Sequence, residues 1–176
     1  MRVAGFALAL ASLAALAAGA KAEETNSEYA FINAAQGCQL SGPTIITKAA
    51  PRATGFRNDG DDASFVICGF WIPDQEGVNF YTATVYLETT DGTTHDVTCT
   101  GVNGIAGIYP QKYVAKTPHV EPGTTGTNWI TFLPADFGGV NGVTDIPQSD
   151  AFSITCALPP HTAIVRVGGD YVRGTQ

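Results

Sequence analysis

Asn58-Asp59-Gly60-Asp61-Asp62 gathers three carboxylates and one side-chain amide within five residues. Calcium takes several oxygens from one flexible loop, so Asn58, Asp59, Asp61 and Asp62 are candidate calcium ligands. The run lacks the spacing and terminal glutamate of an EF-hand loop. An acidic turn of this composition also forms when Asn and Asp side chains bond nearby backbone. A second chemistry belongs to the aromatics. Trp71, Tyr81, Tyr86, Tyr109, Tyr113, Trp129 and Phe137 are available to stack on sugar faces. Trp71 and Trp129 fall at the ends of strand-like runs, and Tyr109 and Tyr113 fall in or beside the longest loop. These four are the candidate ligand-binding residues, against the alternative that large aromatics belong to a core.

Acyl-transfer chemistry has less support. Five serines follow Ala22, and none sits in a G-x-S-x-G elbow. His95, His119 and His161 are scattered, although a triad is assembled by geometry rather than spacing. His95 is the strongest of the three, since alternation puts it on one face with Val97 and Cys99. His119 and His161 flank prolines in loops. There is no H-E-x-x-H and no C-x-x-C. Sixteen acidic residues supply carboxylates for glycoside hydrolysis but single out no facing pair.

These residues must be held by strands. Period-2 alternation is the dominant pattern, and helical spacing is nearly absent after the first 22 residues. In Phe152–Leu158, the side chains of Phe152, Ile154, Cys156 and Leu158 share a face, and Pro159-Pro160 ends the run. Ala163 to Val167 reads as a short strand with Ala163, Val165 and Val167 together. Phe80 to Thr100 reads as a hairpin: Tyr81, Ala83, Val85 and Leu87 alternate with Phe80, Thr82, Thr84 and Tyr86. Asp91-Gly92 supplies its turn, and His95, Val97 and Cys99 return on one face. Tyr29 to Asn33, Ser64 to Trp71 and Trp129 to Leu133 are further strands, with Ile45 to Lys48 and Tyr113 to Lys116 weaker. Three long connections separate them: Pro43 to Asp62, Gly101 to Asn128, and Phe137 to Ser149. About seven or eight short strands predict an all-β fold, an antiparallel two-sheet β-sandwich of jelly-roll or Ig-like type. A closed barrel is the alternative.

The first 22 residues read as an export signal: Arg2, an apolar run from Val3 to Ala20, and the small-x-small site Ala20-Lys21-Ala22. Cleavage there leaves 154 of the 176 residues, expected as one domain over 23–176. Loss of Arg2 and Lys21 leaves seven basic against sixteen acidic residues, a net charge of −9. Such a surface disfavours nucleic acid and anionic lipid. The expected product is secreted or periplasmic, with no membrane segment after cleavage. In that setting Cys38, Cys68, Cys99 and Cys156 are expected to form two disulfides. Three connectivities are open. Cys99 and Cys156 each share a face with core residues, which favours Cys99–Cys156 and leaves Cys38–Cys68.

The contexts Phe65-Val66-Ile67-Cys68, Val97-Thr98-Cys99 and Ile154-Thr155-Cys156-Ala157-Leu158-Pro159-Pro160 resemble a group of small exported bacterial proteins. Those carry a signal peptide, a cysteine near the mature N-terminus, two cysteines at strand centres and a closing C-x-L-P-P. Proline often follows the second cysteine there, where this chain has Gly69. The resemblance implies export and a four-cysteine β-domain; no activity is assigned to the group, so it brings no catalytic residue.

The functional expectation is a secreted non-catalytic sandwich that binds a ligand or serves as an extracellular or envelope component. A carbohydrate-binding module is the more specific alternative, and a small secreted hydrolase is the enzymatic one. The expected partner is a carbohydrate or a protein. No cofactor is expected beyond the weak calcium candidate.

Overall fold

The computed structural model describes residues 26–42, 48–70, 79–123, 128–147 and 152–173. The export signal, Trp71 and residues 45–47 of the weak strand lie outside them. Fourteen strands occur among the described residues: β1 (Asn26–Asn33), β2 (Cys38–Leu40), β3 (Ala49–Arg52), β4 (Gly55–Asn58), β5 (Ser64–Gly69), β6 (Asn79–Phe80) and β7 (Ala83–Thr89) come first. They are followed by β8 (His95–Asp96), β9 (Thr98–Asn103), β10 (Lys112–Lys116), β11 (His119–Val120), β12 (Trp129–Phe132), β13 (Ser153–Leu158) and β14 (Thr162–Arg173). Among the described residues, helix is confined to one turn at Ala34–Gly37, capped by the Asn33 side chain, and a 3-10 turn at Pro134–Phe137.

The strands form an antiparallel two-sheet β-sandwich. One sheet has the order β12-β7-β14-β4-β3, with β1 and β6 also paired to the long strand β14. The other has the order β10-β9-β13-β5-β2. A two-residue ribbon pairs β8 with β11. Alternation decides which side chains fill the space between the sheets. Ala83, Val85, Leu87, Ile130, Phe132, Ile164 and Val167 enter it from the seven-stranded sheet. Val66, Cys68, Cys99, Ile154, Cys156 and Leu158 enter it from the five-stranded one. At one end Phe70, Phe80, Phe132, Phe137 and Phe152 stack edge to face or tilted, with ring centroids 5.2–6.2 Å apart. Gly101 makes room for them. A β-carbon there would stand 2.9 Å from the Phe132 ring and 3.1 Å from Phe137.

The disulfides are Cys38–Cys68 and Cys99–Cys156. Both join residues directly opposite on neighbouring strands, β2 to β5 and β9 to β13. Both therefore staple the five-stranded sheet rather than bridging the sandwich. In the loop-entropy account, closing loops of 30 and 57 residues contributes roughly 4 kcal/mol each.

Several elements differ from the sequence expectations. Phe80–Thr100 is not a hairpin. β7 lies in the seven-stranded sheet and β9 in the five-stranded one, so the Asp91-Gly92 turn carries the chain between layers. Alternation and a turn dipeptide are the same for a hairpin and for a sheet switch, which is why the pattern misleads. Phe80 is fully buried rather than opposite the core face. The amides of Tyr81 and Thr82 both donate to the Asp170 carbonyl, an irregularity that resets the alternation between β6 and β7. The short strand at Ala163–Val167 is the twelve-residue β14. A register shift between Ile164 and Arg166 puts Ile164 and Val167 in the core and leaves Val165 half-buried. The described part of the Pro43–Asp62 connection holds the β3–β4 hairpin, and the Gly101–Asn128 connection holds β10 and β11.

Candidate binding face

The outward face of the seven-stranded sheet carries a row of side chains set by register. Trp129 on β12 lies directly opposite Tyr86 on β7, and Tyr86 lies opposite Arg166 on β14. With Val85 and Leu87 buried on either side of it, Tyr86 must point outward. Trp129 does the same before Ile130. Arg166 needs a further device. Strict alternation from buried Ile164 would aim it into the core. The bulge at Val165 shifts the phase by one residue, so Arg166 emerges on the outer face and Val167 returns to the core.

Phe31 on β1 completes the strip. It is opposite Gly168, where a β-carbon would stand 2.6 Å from the Phe31 ring and 2.0 Å from the Ala30 carbonyl oxygen. The absent side chain lets the phenyl ring reach across to Tyr86, at 5.7 Å between centroids and edge-on. Trp129 and Tyr86 lie 6.2 Å apart, tilted by 44°. The Arg166 guanidinium is 4.1 Å from the Tyr86 centroid and 5.0 Å from that of Phe31. Beside this row, the hydroxyls of Thr84 and Thr131 bond to one another at 3.2 Å. Trp129 keeps 44% of its surface exposed, and Tyr29, farther along β1, keeps 71%. The strip therefore presents aromatic surface and one guanidinium to solvent, with the half-buried Thr131 beside them and Thr84 buried beneath.

The other aromatic candidates are elsewhere. Tyr113 is opposite Val102 on the outer side of the five-stranded sheet, 61% exposed. Its hydroxyl donates to the Gln111 side chain at 2.9 Å. Tyr109 is in the turn after β9, its amide bonded to the Ile105 carbonyl. The structure does not bring Tyr109 and Tyr113 onto one face with Trp129.

In the Asn58–Asp62 run, the Asn58 amide is buried and donates to the carbonyls of Asp62, Leu158 and Pro159, while its oxygen accepts from Gly60. It fixes the β4 end against the close of β13. Asp59 faces Arg52 at 2.9 Å and Arg57 at 3.1 Å. Hydrogen bonds from Arg52, with the positive charge of Arg57, hold its carboxyl below the ordinary aspartate range. Asp61 approaches Lys48 at 3.7 Å.

His95 does not lie in the core beside Val97 and Cys99, because β8 has left both sheets. It gathers with Asp91 and Thr93 in the turn that changes layer. Its Nε2 lies 2.9 Å from the Asp91 carboxylate and 2.9 Å from the Thr93 hydroxyl. In a nucleophile relay the acid holds Nδ1 while Nε2 faces the hydroxyl. Here acid and hydroxyl share one nitrogen, so the arrangement ties a turn rather than relaying a proton. The Thr93 amide is the largest cause that holds the Asp91 carboxyl far below its ordinary range, followed by hydrogen bonds from His95 and from the Thr93 hydroxyl. His119 pairs with Asp96 across the β8–β11 ribbon. His161 is exposed, with a left-handed backbone (φ 60°) after Pro159-Pro160.

Phe31 and Arg166 escape the sequence reading entirely. Tyr86 is visible there as an aromatic but not as a site. The available signal was an arginine inside an otherwise apolar strand run, Ile164-Val165-Arg166-Val167.

No protein-family model matches the chain, and no curated protein matches it. Among solved structures, it is similar to a family 11 carbohydrate-binding module from Clostridium thermocellum in complex with a β-1,3-1,4-mixed-linked tetrasaccharide. The identity is 11% and the TM-score 0.33, over 85% of this chain and 89% of that one. Likeness of that degree says nothing of what this chain binds.

Proposed function

We propose that the protein is an exported, non-catalytic β-sandwich that works by binding, and that carbohydrate is its ligand. The observation that carries this reading is the outward row Trp129–Tyr86–Arg166 with Phe31 beside it. Aromatic faces bind sugars because the C–H faces of a pyranose are apolar while its rim needs hydrogen bonds. The strip supplies both, since its rings are joined by the exposed Arg166 guanidinium and flanked by the half-buried Thr131 hydroxyl. Neighbouring strands lie about 4.8 Å apart, so a row crossing them repeats at an interval close to one sugar unit. The rigid sheet fixes these rings before the ligand arrives, which removes much of the ordering cost of binding.

Export is part of the proposal. It rests on the N-terminal pattern Arg2–Ala22 and on two disulfides of the kind that persist in oxidising compartments. Among the described residues, no helix is long and apolar enough to cross a membrane.

A glycan array probed with the oxidised protein, with and without calcium, tests the reading. Binding to at least one glycan class is expected, with Trp129→Ala weakening it by about tenfold or more, the scale of losing one stacked base or ring. Failure to bind any glycan under either condition would sink it.

A further inference from the structure

We propose that the strip is built for a carboxylate-bearing glycan, a uronic-acid polysaccharide, with Arg166 gripping the carboxylate while Tyr86 and Trp129 hold sugar faces. This rests on the carbohydrate reading of the same face and narrows its ligand class.

Arg166 differs from the other basic side chains that the structure describes. Lys48 approaches Asp61, and both Arg52 and Arg57 hold Asp59. Lys112 donates to the Phe137 carbonyl. Lys116 donates to Asp136 and to the Thr131 carbonyl. Among the lysines and arginines whose side chains are described, Arg166 alone has no anionic or carbonyl partner and touches ring faces instead. In a chain with sixteen acidic and nine basic residues, an arginine left without an acid is unexpected on composition alone.

The stacking sets what it can do. A guanidinium over a ring uses its flat face and keeps its N–H donors at the edge, directed away from the ring. Two rings, Tyr86 and Phe31, restrict its rotamers, so the fork is oriented before a ligand arrives. The matching acceptor is a planar group with two oxygens, bound through parallel charge-assisted hydrogen bonds. Among sugars that group is a carboxylate, and uronic acids carry one on every unit of a pyranose chain. The bulge at Val165 that turns Arg166 outward, and the missing side chain at Gly168 that admits Phe31, both serve this arrangement.

The chain's net charge of −7 opposes a polyanion, and Glu28, Glu88 and Asp170 are the acids on the strands β1, β7 and β14 that carry the strip. Glu28 accepts from the Tyr171 hydroxyl at 2.7 Å. Glu88 is opposite Ala163 rather than Arg166, and Asp170 is opposite Tyr29. Each is at least one row away, where salt with a screening length of about 8 Å weakens the repulsion.

The test is a calorimetric titration of the oxidised full-length secreted protein with oligogalacturonate and with neutral oligogalactose of equal length. Uronate is expected to bind about tenfold or more tighter, as one charge-assisted pair provides. Arg166→Gln should reduce the two affinities to within about twofold of each other while neutral binding persists, and Arg166→Lys should keep part of the preference. Equal binding of both oligomers by the wild type, or an undiminished preference in Arg166→Gln, overturns the uronate assignment and leaves the carbohydrate reading standing. No binding of either oligomer, together with a blank glycan array, removes both. Preference for a sulfated neutral backbone over the uronate, or binding of acidic peptides in place of either oligomer, also overturns the assignment.

Discussion

Arg166 and Tyr86 are 80 positions apart in the sequence, yet guanidinium and ring centroid meet at 4.1 Å. Contacts of this kind are invisible to a sequence reading, because they depend on strand order and on a one-residue bulge. Cysteine faces were legible, since Cys99 and Cys156 alternate with apolar neighbours and the core takes that face. His95 was not, because its neighbours' alternation does not reveal that β8 leaves both sheets. Asp91 shows what that local turn contributes. Its carboxyl is held well below the usual 3.8 by the Thr93 amide and by His95. A depressed folded value means stability that is present above the unfolded value and lost as pH falls through the folded one. Asp91→Asn should thus be less stable than wild type at neutral pH. The difference should shrink below about pH 4, as read from urea midpoints. A gap that is constant down to about pH 2 would contradict this role. Asp59 adds a loss of the same sign.

At the scale of elements, the strand set was largely legible and its pairing was not. Phe152–Leu158, Ser64 onward and Trp129 onward appear as strands because each alternates between core and solvent. The Phe80–Thr100 run alternates equally well, yet it crosses from one sheet to the other, and nothing local separates the two outcomes. β3 and β4 fall within the Pro43–Asp62 connection, where Pro51 and Gly55 interrupt alternation, although together they form an edge hairpin. Glycine positions in strands carry the packing logic. Gly101→Ala would drive a methyl group against Phe132 and Phe137, and the expected cost is about 1–3 kcal/mol. Gly69→Ala, with no atom within 4 Å of the added carbon, should be close to neutral. Equal denaturation midpoints for the two variants would show that the phenylalanine cluster tolerates the intrusion.

For the whole molecule, the two layers have divided tasks. The five-stranded sheet holds both disulfides and lines one side of the core. The seven-stranded sheet lines the other side and presents the aromatic strip outward. Composition points to an acidic, disulfide-bearing protein, and alternation to a β-sandwich. Neither tells which outer face carries the aromatics, because Trp129 and Tyr113 look alike in sequence and end on different sheets. The measurement that tests the central claim most directly is an amide and indole NMR titration of the oxidised protein with a glycan it binds. Shifts should concentrate on the Trp129 indole and the backbones of Phe31, Tyr86 and Arg166, with Tyr109 and Tyr113 unmoved. Shifts centred on Tyr109 and Tyr113, with the Trp129 indole unchanged, would contradict the account.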